Sequence, residues 1–173
     1  MAAKYSLQQV AKLHNRPVFV DANVIIYLFW PTGSIWWEQN YATAFRKLLK
    51  QRNDLYIDLL IISEVVNRVL RIEYKKINPA HNFKAFRNSQ HGKEALEDIY
   101  TIIKNNILNR FDVIGKAFSK QEIENFLVVD ELDFIDKATV EICKENALVL
   151  LTNDKDFKDT GLEILTANPN ILN

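Results

Sequence analysis

Four carboxylates in this chain lie beside apolar runs. Asp21 ends Val18-Phe19-Val20, Glu64 sits inside Ile61-Ile62-Ser63-Glu64-Val65-Val66, Asp136 closes Asp133-Phe134-Ile135-Asp136, and Asp154 follows Leu148-Val149-Leu150-Leu151-Thr152-Asn153. If they converge, two carboxylates about 5 Å apart repel by roughly 3 kcal/mol at an effective dielectric near 20, and four cannot all stay ionised without a cation. Oxygen-only ligands favour Mg²⁺ or Mn²⁺, and Mg²⁺ usually keeps several waters, one of which could attack a phosphodiester. Convergence requires that the first and last apolar strands lie near each other in the sheet.

The elements that would position these acids follow from local pattern. Ser6-Leu7-Gln8-Gln9 has the form of a capping box and predicts a short helix to about Leu13. Val18 to Val20 reads as a strand, and Val24, Ile25, Leu28 and Phe29 have helical spacing, so strand, acid and helix succeed one another as in the first half of an α/β unit. That places Asp21 at a strand-to-helix crossover, where open parallel sheets bind ligands. Pro31-Thr32-Gly33 breaks the helix. Leu55 to Ile57 predicts a second strand, and Asp58 caps a helix from Leu59 to about Lys76. Asn78-Pro79 and Ser89 to Gly92 read as turns, Lys93 to Asn109 as a helix, and Phe111 to Ile114 as a strand. Ser119-Lys120-Gln121-Glu122 is a second capping box. Asp133 caps a helix over Phe134 to Glu145, with Asp136 at its third position. An aspartate there also answers the helix dipole without any catalysis. Leu148 to Leu151 fits a central parallel strand, Gly161 to Leu165 a last strand, and Asn168-Pro169-Asn170 a closing turn.

Charge is unevenly placed. Over the whole chain Lys+Arg and Asp+Glu balance at 22 each, so net charge gives no argument for a polyanionic partner. Locally, Arg68, Arg71, Lys75, Lys76, Lys84, Arg87 and Lys93 face the single acid Glu73 between Val65 and Lys93, which is either a solvated helix face or a phosphate-contacting surface. His81 and His91 have no ligand set at zinc-binding spacing and read as surface or RNA-proximal residues. From Gln121 to Asp136 there are six acids and no Lys or Arg. Trp30, Trp36, Trp37, Tyr41 and Phe45 form either a cluster under a loop or a partly exposed patch for a protein or for stacked bases.

With 173 residues, 48% of them apolar, and only four glycines and four prolines, the expected organisation is one domain over residues 1–173 with a substantial core. Cys143, the single cysteine, reads as a buried inert thiol in a reducing setting. No run approaches the roughly 18 apolar residues of a membrane span and the N-terminus lacks a signal-peptide core, so the expectation is a soluble cytoplasmic protein.

Taken in order, Val18-Phe19-Val20-Asp21-Ala22-Asn23-Val24-Ile25, Ile62-Ser63-Glu64-Val65, Asp133-Phe134-Ile135-Asp136 and Leu150-Leu151-Thr152-Asn153-Asp154-Lys155-Asp156-Phe157 resemble the PIN domain, with its nearest functional group the VapC-type ribonuclease toxins. The resemblance implies an α/β/α sandwich around a mainly parallel sheet and Mg²⁺- or Mn²⁺-dependent endonucleolytic cleavage of single-stranded or structured RNA. It implies that Asp21, Glu64, Asp136 and Asp154 are the catalytic, metal-holding quartet. Asn23, Thr152 and Asp156 take supporting places, and Arg68, Arg71, Lys75, Lys76, Lys84 and Arg87 are expected along the RNA. A small antitoxin is the implied protein partner, with a homodimer also open. The aromatic segment Trp30 to Phe45 and the basic region Lys75 to Arg110 are expanded relative to the compact toxins. Two other classes stay open: a catalytically silent PIN-like scaffold that binds RNA or protein, and a phosphoacceptor with Asp21 as nucleophile. Against the second, Asp21-Ala22-Asn23 lacks another aspartate two residues on.

Overall fold

Two fully buried strands, β2 (Val18–Val20) and β5 (Val149–Leu151), lie side by side at the centre of one sheet. Their residues are apolar at consecutive positions because both faces of the sheet are covered by helices, which is the pattern of an internal parallel strand. The computed structural model describes residues 2–77 and 82–173. In chain order the elements are β1 (Lys4–Ser6), a 3-10 turn (Leu7–Leu13), β2, α1 (Ala22–Phe29), α2 (Ile35–Lys50), β3 (Leu55–Ile57), α3 (Leu59–Lys76), α4 (Phe83–Asn88), α5 (Gln90–Ile102) running into a π-helical turn (Ile103–Ile107), β4 (Asp112–Val113), α6 (Lys120–Phe126), α7 (Phe134–Glu145), β5, a 3-10 turn (Lys155–Asp159), β6 (Ile164–Thr166) and α8 (Pro169–Leu172).

The six strands are ordered β1-β6-β5-β2-β3-β4 and every pairing is parallel. From β2 the chain winds outward to β3 and β4 on one side, and β5 and β6 lie on the other. The switch of direction therefore falls between β2 and β5, and ligands in open parallel sheets bind at the carboxyl ends of strands at such a point. The α/β expectation holds, with a sheet that is wholly rather than mainly parallel.

Local signals account for most helix ends. The boxes at Ser6 and Ser119 both form, and Asp133 forms a third with Asp136. Three expectations need correcting. The Ser89 to Gly92 stretch is no loop: Ser89 N-caps α5, its hydroxyl accepting from the Gly92 amide at 3.2 Å. Gly92 is there because α4 passes so close that a Cβ would come within 2.1 Å of the Phe86 carbonyl oxygen. Gly92→Ala is accordingly expected to cost about 1–3 kcal/mol through forced backbone separation, read in a denaturant unfolding curve. The closing turn at Asn168 is the N-cap of α8, and the last strand lies a few residues later than expected. β1 escapes sequence reading because an edge strand paired only with β6 carries no buried apolar run. The turn read at Asn78-Pro79 and the surface reading of His81 fall outside the described residues.

The aromatic segment is largely core. Phe45 stacks on Phe111 at 5.6 Å, Phe29 meets both edge-on, and Trp30 and Tyr41 are buried, leaving Trp36 as the exposed ring. Cys143 is buried, and burial pushes its thiol above the ordinary range, as an inert core thiol requires.

Candidate functional site

Asp21 and Asp154 leave adjacent strands. Val20 is in register with Leu151, and the Asp21 amide continues the ladder to the Leu151 carbonyl at 3.1 Å, so the two ends of the chain do meet. Asp21 then N-caps α1 and is only 6% exposed. Its Oδ1 accepts from the Ala22 amide at 2.6 Å. Its Oδ2 accepts from Asn23 Nδ2 and from Thr152 Oγ1, each at 2.6 Å. Thr152 Oγ1 in turn accepts from the Asp154 amide at 2.9 Å. Asn23 Oδ1 accepts from the Asn153 amide at 3.1 Å, and Asp154 Oδ1 from the Asp156 amide at 3.1 Å. Asn23 and Thr152 thus link the two strand tips, while Asp156 enters through its backbone.

The other two acids approach from helices. Glu64 lies one turn and a half into α3, half-buried, and pairs with Arg68 at 2.9 Å. Asp136 sits in the first turn of α7 and accepts weakly from the Asp133 amide at 3.4 Å. The proximity of Asp136 to the strand tips is visible in its own ionisation, and that of Glu64 in the ionisation of Asp21. Burial, countered by the Thr152 hydrogen bond and reinforced by the charges of Glu64 and Asp154, raises the Asp21 pKa to about 7. Burial, together with the charges of Asp133, Asp21 and Asp154, raises Asp136 to about 7. The charges of Asp21 and Asp154 thus act on Asp136, and that of Glu64 reaches Asp21. Among the described residues no three His, Cys, Asp or Glu side chains close on a single point at metal-holding distance, and Glu64 is turned toward Arg68. The donor chemistry fits a hard divalent cation: the donors are oxygens, they repel one another, and Asp21 is buried without a cationic side chain among the hydrogen-bond partners of its carboxylate.

A family model decides what this arrangement belongs to: the PIN domain model matches residues 18–162. The chain belongs to the PIN domain family. No curated protein matches the sequence. Among solved structures, this PIN domain is similar to PAE2754 from Pyrobaculum aerophilum, with TM-score 0.52 and 18% identity over 91% of this chain and 88% of that one. It is similar to FitAcB from Neisseria gonorrhoeae, with TM-score 0.54 and 16% identity over 86% of this chain and 96% of that one. It is also similar to VapBC2 from Rickettsia felis, whose structure is bound to a DNA fragment from their promoter, with TM-score 0.50 and 14% identity over 86% of this chain and 97% of that one. At these identities the likeness is one of fold.

In this PIN domain the basic residues divide. Glu64, Arg68, Arg71 and Lys75 recur at helical spacing along one face of α3, a stripe of about 16 Å at 1.5 Å per residue. Arg68 is held by Glu64, the Arg71 guanidinium lies 4.3 Å over the Phe83 ring, and Lys76 pairs with Glu73 at 2.8 Å. Lys75, Lys84 and Arg87 are exposed.

Sequence reading missed the residue that braces the Asp154 loop. Tyr41 on α2 is fully buried, and its hydroxyl lies 3.0 Å from the Thr152 carbonyl and from Asn153 Oδ1, and 3.4 Å from Thr166 Oγ1, while it accepts from the Ala167 amide at 3.1 Å. Asn168 Nδ2 donates to the Asn153 carbonyl at 2.7 Å and closes the same network. The available signal was that a tyrosine at a buried helical position needs a partner for its hydroxyl. Tyr41→Phe leaves those groups short of a partner and is expected to lower stability by about 1–3 kcal/mol in chemical denaturation.

Proposed function

We propose that this PIN domain is a metal-dependent endoribonuclease and the toxin of a toxin-antitoxin pair, with residues 1–173 acting as one domain in the cytoplasm. The observation that carries the reading is the meeting of Asp21 and Asp154 at the tips of adjacent strands, linked through Thr152 at the switch point of the sheet. The likeness to FitAcB and VapBC2 supports a small antitoxin as protein partner, and a homodimer is compatible with it. Among the described residues no helix is long and apolar enough to cross a membrane.

Asp21, Glu64, Asp136 and Asp154 would hold Mg²⁺ or Mn²⁺. The ion, when bound, supplies Lewis-acid polarisation of a phosphate and a nucleophilic water at neutral pH. The chain's own contribution is positional. Thr152 and Asn23 hold the Asp21 carboxylate in a single orientation from two sides, and the Thr152 hydroxyl ties that orientation to the start of the Asp154 loop. Glu64 would join the ion only on leaving Arg68, which would free that guanidinium for phosphate. The stripe Arg68, Arg71, Lys75, continued by Lys76, Lys84 and Arg87, lays the RNA backbone away from the acids.

The test is incubation of the purified chain with end-labelled single-stranded and hairpin RNAs in Mn²⁺, in Mg²⁺ and in EDTA. Cleavage confined to the metal-containing reactions is expected, and cleavage persisting in EDTA overturns the metal mechanism. A second reading, a catalytically silent RNA- or protein-binding scaffold, is favoured by the Glu64–Arg68 pair and by the separation of the acids. It predicts binding without cleavage in every metal. On the nuclease reading, the double reversal Lys84→Glu with Arg87→Glu is expected to raise KM for RNA about tenfold with kcat nearly unchanged, because it removes backbone attraction rather than chemistry.

A further inference from the structure

The exposed end of the aromatic segment carries the next inference. Trp36, in the first turn of α2, is 58% exposed, and Trp37 meets it edge-on with 4.5 Å between ring centroids. An edge-on contact covers at most one face of either ring, so Trp36 keeps a face open to solvent. Trp37 leans on Tyr41 at 6.3 Å, and Tyr41 stacks on Tyr27 at 5.7 Å. The Tyr41 hydroxyl lies 3.0 Å from Asn153 Oδ1, and Asn153 Nδ2 donates to the Tyr27 hydroxyl at 3.4 Å. An unbroken line of rings therefore runs from the surface to the residue that precedes Asp154. Through Thr152 and Ala167 the same tyrosine fixes α2 against the tips of β5 and β6, whereas α3 leaves the tip of β3. In sheet order Asp21 and Asp154 fall between these two attachments.

The exposed side of α2 suits a polyanion. Glu38 is the one acid of the helix, and it accepts from the Thr32 amide at 2.7 Å and the Thr32 hydroxyl at 2.8 Å. After Trp36 that side carries Gln39 and Thr43 and then Arg46, Lys47 and Lys50, a run of about 21 Å at 1.5 Å per residue. Among the described residues no carboxylate pairs with these three cations. A helix that docks on a protein repeats large apolar anchors at i, i+3, i+4 and i+7, and here Gln39, Asn40 and Thr43 hold those places after Trp36. An open aromatic face leading into free cations is the make-up of a single-strand platform, on which a base stacks and the phosphates follow.

We propose that Trp36 is a stacking platform for an unpaired RNA base, and that Arg46, Lys47 and Lys50 take the phosphates beyond it. The inference rests on the reading of RNA as the substrate and adds its form: a strand with its bases free, since a base stacked inside a duplex has no face to offer. The α3 stripe receives the strand on the β3 side of the acids, and Trp36 receives it on the β5–β6 side.

The experiment is titration of the purified chain, in EDTA so that binding is read apart from cleavage, with an oligoadenosine strand and with the same strand carrying abasic spacers in place of its bases. Affinity is followed by anisotropy and stacking by tryptophan emission. The base-bearing strand is expected to bind about tenfold more tightly and to quench the emission. Trp36→Ala is expected to erase that preference while changing the affinity for the abasic strand less than about twofold. Trp36→Phe keeps a ring and is expected to hold the affinity within about threefold while losing most of the quenching. Arg46→Gln with Lys50→Gln is expected to leave the preference for bases in place and to lower the slope of log affinity against log salt by about 0.7 per cation removed. Equal binding of the two strands, or a preference for bases that survives Trp36→Ala, overturns the proposal. So does a Trp36-dependent self-association without quenching by either strand, which would make the patch a protein seat. Cleavage in Mn²⁺ without Trp36-dependent quenching keeps the nuclease and overturns the platform; Trp36-dependent quenching in a chain that cuts no RNA keeps the platform and overturns the nuclease.

Discussion

Asp21→Asn is expected to lower RNA cleavage by about 10³-fold or more while leaving the circular dichroism spectrum unchanged. On the proposed mechanism, Asp21 is the acid whose displacement does most harm, because it is central to the hydrogen bonding between β2 and β5. The exchange is close to isosteric, so the loss is one of charge. Removing one charged ligand weakens the hold on a divalent cation and the stabilisation of developing charge on the phosphate, each worth several kcal/mol. The fold survives because the costs offset. The carboxylate accepts from Ala22, Asn23 and Thr152 on two oxygens, whereas asparagine has one oxygen and must set its amide against a donor on one side. That conflict costs about 1–3 kcal/mol. Against it, a buried charge that repels Glu64 and Asp154 has gone. Retained cleavage at more than a few per cent of the unmodified rate would remove Asp21 from the chemistry.

How far the sequence foretold this site depends on the range of the signals. The strand tips were legible: β2 and β5 are apolar at consecutive positions because both are internal, and their acids follow directly. Caps were legible because they operate within three residues, as at Ser119 and Asp133. Asp136 completes a capping box, as its local reading had it, and also lies within reach of the charges of Asp21 and Asp154. The pairing of β2 with β5 was not legible, because no local pattern records which strands become neighbours. Tyr41 was hidden for the same reason: its partners lie more than a hundred residues away, and only the close pass of α2 under the Asp154 loop brings them together. Asp58 was read correctly as a cap, because its Oδ1 accepts from the Ile61 amide only three residues on. The basic stripe was read by type and spacing, while its internal pairing with Glu64, Glu73 and the Phe83 ring depends on rotamers.

In EDTA the protein is expected to lose stability as pH rises from about 5 to 7.5, opposite to the usual behaviour of carboxylates. The sign follows from proton counting. Asp21 titrates near 7 in the folded chain and near 3.8 as a free side chain, so between those values the folded state holds the proton that the unfolded state has released. Stability rises with pH only where the unfolded state binds more protons, and here it binds fewer. The stabilisation is complete below about pH 4 and is lost as pH passes through about 7. At 1.36 kcal/mol per unit of pKa the Asp21 contribution is on the order of 2–4 kcal/mol. Asp136 acts in the same direction, with a smaller effect because solvent screens it. For a chain of this length the sum corresponds to roughly 5–10 °C in Tm. Mn²⁺ should restore what deprotonation removes, so its stabilising shift is expected to be larger at pH 7.5 than at pH 5, where protons occupy the same carboxylates. Asp21→Asn removes the larger titrating group and should flatten the profile in EDTA. A metal-free Tm that stays level or climbs between pH 5 and 7.5 would show that burial does not hold the Asp21 and Asp136 carboxyls protonated in the folded chain, and the case for a cation at these acids would lose that support.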